Sequence, residues 1–158
     1  MDNDKIQAYT RRITQANSTE MIVILYDMTL DYVSEAQSSL ENGDGDTGFT
    51  DAISKIQGCL SELINSLHME YEPAGDLRRL YDFCIRRVAV SQAKKDGSIL
   101  DEIVRVIKPL REAYSKITDK NTGGPVMGNS QTVYAGLTYG KDELIESLST
   151  NANRGFLV

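Results

Sequence analysis

NSTEMIVILYDMTLDYVSEA, residues 17–36, decides how this chain folds. Asn17 and Ser18 are N-cap residues, whose side-chain oxygens accept from the backbone N–H groups that a helix start leaves unpaired. Glu20 follows in the first turn, where a carboxylate meets the positive end of the helix dipole. Ile22, Leu25, Thr29, Tyr32 and Ala36 then recur at steps of three and four, which is one face of a helix. Met21, Val23, Ile24, Tyr26 and Met28 fall off that stripe. An apolar surface this wide exceeds one packing seam. The helix is therefore central in the fold, or it keeps a second face for another occupant.

Working outward, the same periodicity predicts an all-α protein. The first helix spans about residues 18–40, and ENGDGDTG ends it with turn chemistry. That turn has a superficial likeness to a calcium loop, with Asp44 and Asp46 two apart. Gly48 stands where a third ligand belongs, however, and Lys55 where a bidentate glutamate is needed, so it reads as a connection. A second helix spans about 50–69 on Ile53, Ile56, Leu60, Leu63 and Leu67, and Pro73 and Gly75 forbid easy continuation. A third covers about 76–94 on Leu77, Leu80, Tyr81, Cys84, Ile85, Val88 and Ser91. A fourth covers about 98–118 on Ile99, Ile103, Ile107, Leu110, Tyr114 and Ile117. Pro109 lies inside it and predicts a kink or local looseness near Arg105. Short connections make neighbouring helices antiparallel, so the fold class is an up-down four-helix bundle. Ahead of it, residues 1–16 carry Ile6, Tyr9 and Ile13 at helical spacing, enough for one or two turns lying in a groove.

The domain division is a bundle with its N-terminal arm over 1–118, a linker over 119–131 and an apolar tail over 132–158. DKNTGGPVMGNSQ has linker composition. The tail does not: it holds Val133, Tyr134 and Leu137, a short amphipathic stretch at Leu144, Ile145 and Leu148, and a terminal Phe156-Leu157-Val158.

Composition removes several functions. The chain has 158 residues, enough for one domain with a real core, and a formal charge of −6, which disfavours nucleic-acid binding. No apolar run is long enough to span a membrane, and MDNDKIQAY is not a secretory signal. Cys59 and Cys84 sit in apolar helical patterns and read as buried free thiols of a reducing compartment, so the expected location is the cytoplasm. A di-metal bundle needs Glu-x-x-His from two helices. The single histidine, His68, is preceded three residues earlier by Asn65, so no metal or other cofactor is expected. Neither thiol has an imidazole beside it and no phosphate loop is present. The chain reads as a non-enzyme. What remains is surface: a helix with surplus apolar area and two tethered segments with apolar points suit helix-in-groove recognition.

Several stretches together resemble the flagellar secretion chaperones of the FliS type. Tyr9 precedes an Asn-Ser-Thr-Glu helix start by some ten residues. MIVILYDMTLDYVSEA (21–36) is similar to that family's first long helix, centred on Leu25-Tyr26-Asp27. AISKIQGCLSELINSL (52–67), LRRLYDFCIRRVAVSQAKKD (77–96) and LREAY (110–114) resemble its later helices. The likeness covers about residues 5–118. Pro109 and the tail depart from the family pattern. The resemblance implies a cytoplasmic export chaperone that binds the C-terminal disordered part of flagellin, prevents its premature polymerisation and brings it to an export gate component. The alternative is a bundle that assembles with itself and has no flagellin client.

Candidate partner-binding residues are Tyr9, Ile22, Leu25, Tyr26, Ile56, Leu60, Leu80 and Tyr81. Tyr26 and Tyr81 lead, because tyrosine pairs apolar area with a hydroxyl that wants a wet edge. In the tail, Tyr134, Leu137, Leu144, Ile145, Leu148, Phe156 and Leu157 are the expected docking residues. They would act as a built-in pseudo-client in cis, or in trans as a homodimer made by tail exchange.

Overall fold

A computed structural model describes residues 1–43, 45–118 and 120. Five helices follow one another: α1 (Asn3–Gln15), α2 (Ser18–Asn42), α3 (Asp46–Asn65), α4 (Ala74–Lys94) and α5 (Asp101–Thr118), with a 3-10 turn at Gly97–Leu100 before α5. There is no strand among the described residues. α2 packs on α3 and on α5, and α4 closes the bundle by packing on the same two helices. The linker, apart from Lys120, and all seven tail-docking candidates lie outside the described residues.

The start of α2 is built as its sequence dictates. Asn17 Oδ1 accepts from the Glu20 amide at 2.8 Å, and Glu20 Oε1 accepts from the Asn17 amide at 3.0 Å. This reciprocal capping box satisfies two backbone donors at once. From α2 inward, Tyr26, Val33 and Ala36 meet Ile53, Ile56, Leu60 and Leu63 of α3, Tyr81 and Val88 of α4, and Leu100, Ile103 and Ile107. Each fully buried aliphatic side chain contributes about 1.5–3 kcal/mol relative to exposure.

Three expectations need correction. Residues 1–16 form a full thirteen-residue helix rather than a turn or two. Asp2 caps it by accepting from the Lys5 amide at 3.0 Å, Asp4 sits in the first turn and Arg12 in the last. Those charges suit both ends of the helix dipole. The segment ENGDGDTG is not all loop, because α3 begins at Asp46 and takes Gly48 inside it. A Cβ on Gly48 would stand 2.8 Å from Ser39 Oγ, so glycine lets α2 and α3 approach closely there. Gly58, further along α3, has no neighbour within 4 Å of such a Cβ. α3 then ends at Asn65, short of Met69, and α4 begins at Ala74 with Gly75 in its first turn. α5 keeps Pro109 inside one helix, on its exposed side, where Arg105 lies one turn before it. The carbonyl that proline deprives of a partner therefore belongs to an exposed residue.

Candidate functional site

Five of the eight candidate partner residues, Leu25, Tyr26, Ile56, Leu60 and Tyr81, lie in the main core. Tyr26, Ile56 and Leu60 are 0% exposed and Tyr81 is 2% exposed. The wet edge expected of the two tyrosines is absent because each hydroxyl satisfies the other: the Tyr26 and Tyr81 oxygens are 2.5 Å apart. Tyr114 of α5 sets its ring edge-on to Tyr26, with centroids 5.7 Å apart at 75°. Burial pushes all three hydroxyls above the usual tyrosine range. This cluster joins α2, α4 and α5 from inside. Leu25 is also buried, Ile22 is half-buried, and Leu80 is exposed on α4.

The surplus apolar face of α2 meets α1. Met21 and Ile24 pack against Tyr9, Ile13 and Ala16 in a buried cluster separate from the main core, and half-buried Met28 touches both. Beside this row stand Asp27, Asp31 and Glu35, four residues apart and so on one side of the helix. Every one has a partner on α1 or just before it. Arg12 Nη2 reaches Asp27 Oδ2 at 2.8 Å, Lys5 Nζ reaches Asp31 Oδ1 at 3.0 Å, and the Met1 amino group meets Glu35. Tyr9 donates its hydroxyl to Asp31 Oδ2 at 2.5 Å. Burial first, then that hydrogen bond and the Asp31 charge, push the Tyr9 hydroxyl well above its ordinary range. The other oxygen of Asp27 accepts from Arg111 Nε of α5 at 2.7 Å. Asp27 therefore links three helices.

Of the thirteen residues of α1, only Tyr9 is buried. Between α1 and α5 the floor of α2 is partly open. A cleft of about 470 Å³ is lined by Ala16, Val23 and Ile24 below and by Arg12, Arg111, Ser115 and Thr118 at its rim. The sequence reading found Tyr9 but missed the ion pairs. Their signal was the four-residue spacing of Asp27, Asp31 and Glu35 against the seven-residue spacing of Lys5 and Arg12.

Nothing here is arranged for covalent chemistry. Burial raises the Cys59 thiol to about 11, against a lowering hydrogen bond from Thr29, and the Cys84 thiol to about 12. Both thiols are buried and held in the unreactive protonated form. Among the described residues no group of His, Cys, Asp and Glu side chains could hold a metal, and no helix is long and apolar enough to cross a membrane.

A family profile described as "Flagellar protein FliS" matches residues 1–121. The chain belongs to the FliS family. That family is non-enzymatic. Similar curated proteins are the flagellar secretion chaperone FliS of Bacillus subtilis (strain 168) and the flagellar secretion chaperone FliSB of Pseudomonas aeruginosa. The first is 25% identical over 104 residues, covering 66% of this chain and 77% of that protein. The second is 26% identical over 110 residues, covering 68% and 86%. The FliS profile takes in all five helices, so α1 is part of the family unit and not an appendage to it.

Proposed function

We propose that this chain is a cytoplasmic export chaperone that holds the C-terminal segment of flagellin, keeps it from polymerising early and supports its delivery to the export apparatus. The client lies partly on the outer face of α2, where α1 sits in its absence. The observation that carries this reading is the thinness of the α1 contact. α1 covers Met21 and Ile24 with one buried side chain of its own, in a buried cluster apart from the main core, and half-buried Met28 borders both. Tyr9, Ile22 and Leu25 belong to or border that face, while Tyr26, Ile56, Leu60 and Tyr81 support it from within the core. Flagellin ends carry apolar faces made for packing in a filament, and an amphipathic helix of that kind replaces α1 by the same contacts.

The tail is a second, internal competitor. Tyr134, Leu137, Leu144, Ile145, Leu148, Phe156 and Leu157 repeat the pattern of an amphipathic client. Thr118, the last residue of α5, lines the cleft beside α1, so the tail departs next to the client face. A linker of about thirteen residues reaches about 20 Å and sets an effective concentration on the order of millimolar. With an intrinsic affinity near ~0.1 mM the tail weakens client binding about tenfold. The same contacts made between molecules give a tail-exchanged homodimer.

The test is the affinity of a flagellin C-terminal peptide for three chains: the full one, one stopped at Lys120, and one lacking residues 1–12. The reading expects binding by all three, tighter after either truncation. No binding by any of them ends the client reading. Equal affinity for the full chain and the chain stopped at Lys120 ends the pseudo-client role alone.

A further inference from the structure

The charge of this chain is divided between two sides of the bundle. Residues 1–73 hold four Lys and Arg against thirteen Asp and Glu, whereas residues 74–118 hold ten against six. The net −6 therefore conceals a basic side made by α4 and α5. These helices are neighbours, joined by Arg87 Nη2 to Glu102 Oε2 at 2.9 Å. That ion pair fixes which edges meet. On α4, Leu80, Phe83 and Val90 share the edge of Arg87; on α5, Val106 and Ile117 share the edge of Glu102. Leu80 is 38% and Ile117 50% exposed, and the other three are half-buried.

Around this apolar row stand Arg86, Lys94, Arg105 and Lys116, all exposed. None makes an ion pair with a described residue, in contrast to Arg78 and Arg79, which are tied to Asp82 and Asp76 one turn away. Lys94 acts on Asp96 through space only, and Arg86, Arg105 and Lys116 have no such carboxylate among the described residues, so these cations around an apolar row have one natural complement: a helix with an apolar stripe flanked by carboxylates. A nucleic acid brings the charge but no apolar stripe. A second copy of this chain brings Asp27, Asp31 and Glu35, each already paired, and the carboxylate Asp51 on α3, whose exposed neighbours Ser54, Lys55, Gly58 and Ser61 form no apolar stripe.

We propose that the α4–α5 face docks a second protein through an acidic amphipathic helix, and does so while the α2 side is occupied. α4 lies across the bundle from α2; α5 borders both, but its cleft residues Arg111 and Ser115 fall on the other side of the helix from Glu102 and Val106. Only the order of partners rests on the client reading above; the chemistry of the face does not. Such a face joins a loaded chaperone to a further component without unloading it.

The probes are two synthetic helical peptides with the same leucine stripe, one flanked by Glu and one by Lys, titrated into the full chain at low salt. The Glu peptide is expected to bind at least about tenfold more tightly, since like charges facing each other disfavour the Lys peptide. Its affinity falls when salt shortens the Debye length to a few ångströms. Arg86→Glu combined with Arg105→Glu removes most of that binding at unchanged circular dichroism, because both residues are exposed. Leu80→Ala, which changes no charge, weakens it several-fold. Equal binding of the two peptides, binding of neither, or insensitivity to the charge reversals overturns the proposal. So does a single-stranded oligonucleotide that binds as tightly as the Glu peptide, or self-association through this face. A flagellin peptide that competes with the Glu peptide merges this face with the client site and refutes a second partner. A chain that binds no flagellin peptide refutes the client reading, while the Glu and Lys peptides still decide this one.

Discussion

The two apolar surfaces of α2 are held in opposite ways. Inward, Tyr26 and its neighbours meet α3, α4 and α5 with no exposure and no charge, and the hydroxyls present satisfy one another. Outward, a short row of Met21, Ile24 and Met28 meets one helix, and carboxylates gripped by Lys5, Arg12 and Tyr9 do much of the holding. Burial of the first kind cannot be undone without unfolding. Contact of the second kind is made of part-exposed ion pairs, each worth about 0–1 kcal/mol, and a small apolar area. The lesson is that one helix serves as permanent wall on one side and as exchangeable surface on the other.

Four measurements break or sharpen this contrast. The largest effect belongs inside: Leu60→Ala is expected to lower unfolding free energy by about 2–5 kcal/mol in denaturant titration, through the cavity it leaves. A variant of near-native stability that has lost client binding instead returns Leu60 to the partner surface. Tyr81→Phe follows. It strands the Tyr26 hydroxyl in the core at a cost of about 1–3 kcal/mol. The same pair sets an alkaline limit. Both folded pKa values lie above the unfolded one, so the stability they contribute is complete below about pH 10. It is lost as pH rises through the folded values, and tyrosinate absorbance from these residues should appear only with unfolding. A titration in which they ionise near the ordinary tyrosine value while the helices persist contradicts the burial.

Outside, the effects shrink. Removing residues 1–12 should expose Met21, Ile24 and Met28 to an apolar dye while the bundle still melts as one transition. No rise in dye binding means that α1 shields nothing. Smallest is Asp31→Asn, which weakens the acceptor of Tyr9 and the partner of Lys5. Amide exchange in α1 should quicken about two- to fivefold, in line with an exposed ion pair, with no change in α3. Equal quickening in both helices ties α1 to the core after all.

Much of this was legible in the chain. The capping residues at Asn17 and Glu20 and the stripes of the long helices follow from periodicity, because core-facing positions must repeat with the helix turn. The fate of Tyr26 and Tyr81 was not legible. A single tyrosine hydroxyl calls for water, and only the folded chain brings two of them, 55 positions apart in sequence, to within bonding distance. Helix α1 was underread for a related reason. Its own apolar content is low, and its carboxylate partners are on another helix. Pro109 stays within one helix, and the carbonyl it leaves without a helical partner, that of Arg105, is on the exposed side.

The two glycines of α3 are alike in sequence and opposite in consequence. At Gly48 a larger residue would need the Ser39 hydroxyl of the facing helix to turn away. Gly58 has open space around it and only loosens the helix that contains it. Alanine at Gly58 would stiffen α3 by about 0.5–1 kcal/mol. The chain thus holds an unused reserve of rigidity ten residues away from a glycine that sits against Ser39 of the facing helix.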